Sequence, residues 1–305
     1  MSASLMRATA CTLGLLVALA LGACGGDDKG SPKPGGGPIR IGSKNFAEST
    51  ILGELYKQAL ESKGFDVELR SAVGPSETVN RALRNGRLDM YPEYVGVLLS
   101  EVDKITKRPP SADAAYALAK SVEEKRKLTL LGQTTFTNDN ALAVTKGFAA
   151  REHVDAIPDL AGLRKPKLLG APEFEERYEG IQGLRRVYGL DSLDFTGWRS
   201  AGDQYPALDS GKTDVALVFT TDPQLASGRY VLLADPEGLF AKQHLAPVIS
   251  QQALTAHGPK LAATINAVSA LLTTPVMQGL NAGVALDKRT PRDVADEFLR
   301  AHHLK

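Results

Sequence analysis

Gly86-Arg87-Leu88-Asp89-Met90-Tyr91-Pro92-Glu93-Tyr94-Val95-Gly96 is the stretch on which the fold turns, because its pattern returns as Gly211-Lys212-Thr213-Asp214-Val215-Ala216-Leu217-Val218-Phe219. Aligned, both units read Ala-Leu-x-x-Gly-x-x-Asp, from Ala82 to Asp89 and from Ala207 to Asp214. An aromatic follows five residues after each Asp, Tyr94 in the first and Phe219 in the second. Each unit reads as a helix end, a glycine stop and a short apolar strand. Glycine suits the left-handed residue that closes a helix. The strand then delivers a side chain to the carboxyl end of a sheet, where open α/β folds place their ligands. Two copies imply two similar lobes, each offering an aromatic to a shared cleft. The plain alternative is a chance match, since helix–glycine–strand joints occur throughout α/β proteins.

Working outward, residues 39–42 read as a strand, and Ser43-Lys44-Asn45 opens a helix with Ile51, Leu52, Leu55, Ala59 and Leu60 on one face. A strand over 66–70 follows, then a helix for which Ser76 is the expected N-cap, then a strand over 88–91. This β-α-β-α-β order is the signature of a parallel sheet. A charged helix over 112–127 and a strand over 128–131 lead to a crossing between lobes. The second lobe has strands over 141–145, 167–170, 192–197, 213–219 and 230–234, and helices over 158–163, 203–209 and the end of 173–189. Residues 247–251 return to the first lobe, and three helices over 259–272, 275–282 and 290–302 finish the chain. The expected division is a leader at 1–23, a tether at 24–38, lobe one at 39–138 plus 248–305, and lobe two at 139–247.

The first 23 residues read as an export signal. Arg7 is the positive flank and residues 13–21 are an apolar run too short for a comfortable membrane span. The run ends Leu21-Gly22-Ala23-Cys24, which resembles a bacterial lipoprotein cleavage site with Cys24 as the lipidated first residue; the alternative is an ordinary secretory peptide with an incidental Cys. Cys11 lies in the leader, so the mature chain holds one Cys and no disulfide. Residues 25–38 are Gly, Pro, Ser, Asp and Lys without apolar periodicity, a flexible tether. Removing Arg7 with the leader leaves 35 basic against 35 acidic residues. A neutral chain gives no electrostatic case for nucleic acid.

The five His residues are not at metal-ligand spacing with one another, with Cys or with carboxylates. No nucleophile elbow, P-loop or Gly-x-Gly-x-x-Gly after a strand is present. No metal, cofactor or catalytic residue is therefore expected. What remains is a binding constellation. Tyr94, Tyr205 and Phe219 stand at loops or strand ends, and aromatic faces attract a cation by roughly 0.5–2 kcal/mol per contact. Lys44 precedes a helix N-terminus, and Arg177 lies in Glu173-Phe174-Glu175-Glu176-Arg177-Tyr178 of the other lobe. Together the two could clamp a carboxylate across the cleft. Each taken singly has a plainer reading, a packed tyrosine or a surface charge. Tyr91 offers a further ring, but Pro92 breaks the strand parity that would give its direction.

With these residues in view the sequence resembles the substrate-binding proteins of osmoprotectant importers, the glycine betaine/carnitine/choline-binding class of ABC transporter. The resemblance spans roughly residues 39–304. It rests on Gly42-Ser43-Lys44-Asn45-Phe46-Ala47-Glu48, Leu88 to Gly96, Asn140-Ala141-Leu142-Ala143-Val144, Pro172 to Arg177, Val187-Tyr188-Gly189, Tyr205-Pro206-Ala207-Leu208 and Phe219-Thr220-Thr221-Asp222. It implies a two-lobed α/β periplasmic-binding-protein fold of type II that closes around its ligand. It also implies an aromatic cage for a quaternary ammonium and basic residues for a carboxylate. Tyr94, Tyr205 and Phe219 fall on cage positions, and Lys44 and Arg177 on carboxylate positions seen in some members. Three positions depart from the pattern. Asn140 stands where a fourth cage tyrosine is usual, Phe219 where Tyr is usual, and Val97 where Thr is common. Losing one ring removes about 1 kcal/mol of cation–π attraction. The expectation is weaker glycine betaine binding than a full cage gives, or preference for a less methylated zwitterion.

The expected protein is thus a monomeric lipoprotein outside the cytoplasm, tethered to the membrane by Cys24, that passes its solute to a permease with its ATPase. Two readings compete: an extracytoplasmic sensor of the same ligand class, and an enzyme on a related two-lobed scaffold.

Overall fold

The computed structural model describes residues 37–305 except 106, 108, 201, 241 and 242; the leader, Cys24 and nearly all of the tether lie outside them. The described strands are β1 (Ile39–Lys44), β2 (Val67–Gly74), β3 (Met90–Tyr94), β4 (Leu128–Leu130), β5 (Asn140–Thr145), β6 (Lys167–Gly170), β7 (Asp194–Gly197), β8 (Val215–Phe219), β9 (Tyr230–Leu232) and β10 (Leu245–Ser250). They form two five-stranded sheets, one in the order β2-β1-β3-β10-β4 and one in the order β7-β6-β8-β5-β9. In the first, β1 runs parallel to β2 and β3, while β10 is antiparallel to β3 and β4. In the second, β6 runs parallel to β7 and β8, while β5 is antiparallel to β8 and β9. The sheets therefore share one plan, and each takes its antiparallel strand from a segment arriving from the other. The chain is two-lobed.

The sequence repeat is the joint that builds both lobes. Gly86 and Gly211 take left-handed backbone with φ of +67° and +69°, closing helices Ser76–Arg84 and Gln204–Asp209. The amides of Arg87 and Lys212 donate back to Ala82 O and Ala207 O, each at 2.9 Å. Asp89 then locks onto β1: its amide donates to Arg40 O at 2.8 Å and its carboxylate accepts from Arg40 N at 2.8 Å. Asp214 does the same to β6, through Lys167 O at 3.1 Å and Lys167 N at 2.9 Å. A short acidic side chain thus satisfies a strand-edge amide at the same point of each lobe.

Both sheets are covered on both faces, as parallel strands require. In the first lobe Ile51, Leu52, Leu55, Ala59 and Leu60 of helix Ala47–Ser62 are all essentially buried. They pack with Ile265 and Leu299 of helices Pro259–Ser269 and Pro291–Ala301. Val79, Leu83, Tyr91 and Ala119 cover the opposite face. Leu142, Leu168, Leu184 and Val215 centre one core of the second lobe, and Tyr205, Leu208 and Val218 the other. No single described helix is long and apolar enough to cross a membrane.

Some local expectations are corrected. Ser76 is the first helical residue and Pro75 holds the N-cap, with no side-chain cap bond; proline's fixed φ suits that extended position. The strand expected over 88–91 begins at Met90 and continues through Pro92, which pairs opposite Pro247 of β10. The residue before a proline favours extended backbone, so Pro92 continues the strand rather than breaking it. A short helix, Gln251–His257, follows β10, capped by the Ser250 hydroxyl.

Candidate functional site

The carboxyl ends of β1, β3 and β8 and the start of β5 meet at one cavity of about 510 Å³, within the usual range for small-molecule pockets. It is lined from the first lobe by Lys44, Phe46, Ser76, Tyr94 and Val97, and from the second by Asn140, Glu173, Arg177, Trp198 and Phe219. Of the six ligand-binding positions expected from sequence, the structure brings together Lys44, Tyr94, Asn140, Arg177 and Phe219. Asn140 sits directly opposite Phe219 in the β5–β8 register.

Tyr205 is placed apart. Its ring packs edge-on against Tyr230 with centroids 5.1 Å apart, and its hydroxyl donates to Asp222 Oδ2 at 2.7 Å. It lines a smaller pocket of about 100 Å³, with Thr221, Asp222 and Asn281, that adjoins the cavity and shares Phe46, Asn138 and Phe219 with it. Burial, then the Asp222 charge, pushes its hydroxyl pKa well up, so it stays a neutral donor. Tyr91 is also elsewhere, fully buried in the first lobe and bonded to Asn80 Nδ2 at 3.1 Å.

Three aromatic residues not named as site residues from sequence, Phe46, Phe174 and Trp198, also line the cavity. Phe46 stacks between Tyr94 and Phe219, with centroids 6.3 and 6.2 Å away. Trp198, the one tryptophan of the chain, follows β7 and sets its ring edge-on to Phe219 at 6.4 Å. Its signal was available: a lone Trp just beyond the carboxyl end of a parallel strand.

Lys44 ends β1 almost wholly buried. Its ammonium donates to Glu93 Oε1 at 2.6 Å and Ser76 Oγ at 3.3 Å. It also lies 4.3 Å from the centroid of Tyr94 and 5.3 Å from that of Phe46. Burial lowers its pKa, the Glu93 charge opposes that, and Arg177 adds to the lowering. Arg177 reaches across the cleft to Glu77 Oε2 at 3.4 Å, and its buried Nε has no hydrogen-bond partner among the described residues. Lys44 and Arg177 thus present positive charge to one cavity from opposite lobes.

A family model, the substrate binding domain of ABC-type glycine betaine transport systems, matches residues 37–301. The chain belongs to that family. It is 31% identical to the glycine-betaine-binding protein of Pseudomonas aeruginosa over 277 residues, 87% of this chain and 88% of that protein. It is 27% identical to the glycine betaine-binding protein YehZ of Escherichia coli over 284 residues, 88% of this chain and 92% of the relative. Among solved structures, a glycine betaine/carnitine/choline ABC transporter protein superposes with a TM-score of 0.69 at 27% identity, covering 87% of this chain and 99% of that one. Membership places this chain among the transport substrate-binding proteins, extracytoplasmic components of ABC importers.

Proposed function

We propose that the protein captures a zwitterionic or quaternary-ammonium osmoprotectant of the glycine betaine, choline and carnitine class and delivers it to an ABC permease by lobe closure. The observation that carries this reading is the composition of the cavity wall. Five aromatic residues, Phe46, Tyr94, Phe174, Trp198 and Phe219, share it with Lys44 and Arg177. Rings suit a methylated cation, which needs no hydrogen bonds; two cations from different lobes suit a carboxylate. Trp198 offers a ring that Asn140 lacks, so the departure at Asn140 need not weaken the site. A cavity split between lobes gives the ligand a reason to favour the closed form. In this reading Cys24, outside the described residues, carries the lipid that tethers a monomeric binding protein to the membrane beside its permease.

The test is calorimetric titration of the full-length chain in detergent with glycine betaine, choline, carnitine, proline betaine and an unmethylated amino acid. Binding of a methylated cation, lost in Phe219→Ala, is the expected result. Binding of the unmethylated solute alone would move the ligand class and make Asn140 the first residue to exchange.

A further inference from the structure

Glu48 stands in the first turn of helix Ala47–Ser62, almost wholly buried, and lies outside the large cavity. Its carboxylate accepts four hydrogen bonds, two on each oxygen. Oε1 takes the Tyr94 hydroxyl at 2.5 Å and Asn138 Nδ2 at 2.8 Å. Oε2 takes the Thr221 hydroxyl at 2.5 Å and Asn281 Nδ2 at 2.6 Å. These donors come from four separate segments: the end of β3, the crossover before β5, the loop after β8, and helix Thr274–Ala285. Both asparagines turn their amide nitrogen to Glu48, and each leaves its own Oδ1 buried without a partner among the described residues. The carboxylate therefore sets the orientation of its neighbours.

The loop at 220–222 is where this matters. Thr220 donates its amide to Asp139 O at 3.1 Å and accepts the Asp139 amide on Oγ1 at 2.9 Å, which seats the loop on the crossover. Gln278 Nε2 reaches Thr220 O at 3.3 Å, and Asn281 Nδ2 reaches Thr221 O at 3.2 Å. Asp222 Oδ2 accepts the amide of Phe219 at 3.0 Å. The path from Glu48 through Thr221 to Phe219 is thus short and bonded throughout, and Tyr94 hangs from the other oxygen. One buried charge holds a ring from each lobe.

We propose that Glu48 is a positioning residue: a non-covalent link between the lobes, beside the two chain crossings, that fixes Tyr94 and Phe219 on the cavity wall. The proposal rests on reading the cavity as the ligand site. Thr221 lines the small pocket beside Phe219 and not the cavity itself, so its exchange alters the bond to Glu48 without altering the cavity's own lining.

The test compares Glu48→Gln, Thr221→Val and Thr221→Ser with the unaltered full-length chain in detergent. Glycine betaine and choline are titrated by calorimetry, and Trp198 is quenched with acrylamide in the absence of ligand. Thr221→Val keeps the shape and removes the donor; it should weaken the better-bound probe about tenfold, as expected for a lost hydrogen bond to a charged group, and raise the quenching of Trp198. Thr221→Ser restores the hydroxyl and should stay within about twofold of the unaltered chain. Glu48→Gln should lose at least as much as Thr221→Val; if it does not fold, the two Thr221 variants decide. Equal affinity and equal quenching for Val and Ser at 221 overturn the proposal. If the unaltered chain binds neither probe, the ligand reading of the cavity fails on its own, and the quenching comparison still decides the link.

Discussion

Lys44 already places a cation on the face of Tyr94. A ligand ammonium on that same face would meet it at about 4 Å, where two like charges repel by about 4 kcal/mol at an effective dielectric near 20. That exceeds the cation–π gain of one ring. The ligand's cation is therefore expected against the second-lobe rings, Phe219 and Trp198, with its anionic end toward Lys44 and Arg177. Trp198→Ala should weaken a quaternary ammonium ligand by about tenfold, corresponding to ~1–2 kcal/mol, with little change in thermal stability; calorimetry and a melting curve on one sample check both. Tyr205→Phe should do the reverse. It leaves Asp222 short of a donor in a buried place, a cost of about 1–3 kcal/mol in stability, while the cavity keeps its shape. Asp222 gives a pH signature as well. Burial, the largest cause, pushes its carboxyl up to about 6 from 3.8, against the hydrogen bonds from Tyr205 and Phe219. Between those values the folded chain holds a proton that the unfolded chain releases. The group's contribution to stability is thus greatest below pH ~4 and is lost as pH rises through ~6, up to about 3 kcal/mol in all. Asp222→Asn should flatten the stability profile across that window in calorimetric scans at a series of pH values.

Among the elements, the joints at 82–89 and 207–214 were the most legible. A left-handed glycine and a short acid at fixed spacing have few other uses, and both lobes use them for one bond pattern. The helical stripe from Ile51 to Leu60 was legible for the same reason: periodicity reports which face is buried. Direction relative to a cleft is not written in periodicity. Tyr205 sits on a six-residue helix, Gln204–Asp209, too short to say which side meets the cavity, and packing on Tyr230 decided it. Trp198 and Phe46 follow strands in loops with no period at all. Glu48 ends the motif Gly42 to Glu48, but a first-turn glutamate usually reads as a helix-dipole partner, and its four donors are scattered from Tyr94 to Asn281 in the chain. The turn that carries Arg177 depends on sterics equally hidden from pattern. A Cβ on Gly180 would fall 1.9 Å from Phe174 O, although the residue's φ of −139° is open to any side chain. Gly180→Ala must open the turn between Phe174 and helix Ile181–Tyr188, and Arg177 lies inside it. We expect a loss of about 1–3 kcal/mol in stability. Affinity should fall more for glycine betaine than for choline, which has no carboxylate for Arg177; paired titrations give the ratio.

At the scale of the molecule, the lobes are joined by two chain crossings that run side by side. Thr137 and His244 form an antiparallel bridge, and Asn138 N donates to Gln243 O at 3.0 Å. Such a narrow joint permits rotation of one lobe on the other. Beyond it, Arg177 and Glu77 meet across the cleft at 3.4 Å with Glu77 about a third exposed. A pair so placed contributes at most about 1 kcal/mol, too little to hold the lobes together by itself and little enough for a ligand carboxylate to displace. In the proposed reading Arg177 has two partners in competition, one from the protein and one from solution. Glu77→Gln removes the first: affinity for a zwitterion should hold steady or rise by up to about fivefold, the equivalent of that ~1 kcal/mol. Arg177→Gln removes the bond to the second and should weaken zwitterions while sparing choline. Small-angle scattering with and without ligand reads the consequence for shape. Closure by glycine betaine in the unaltered and Glu77→Gln chains, and its loss at the same ligand concentration in Arg177→Gln, is the expected pattern. If Arg177→Gln binds and closes like the unaltered chain, Arg177 serves only to meet Glu77, and the carboxylate end of the ligand belongs to Lys44 alone.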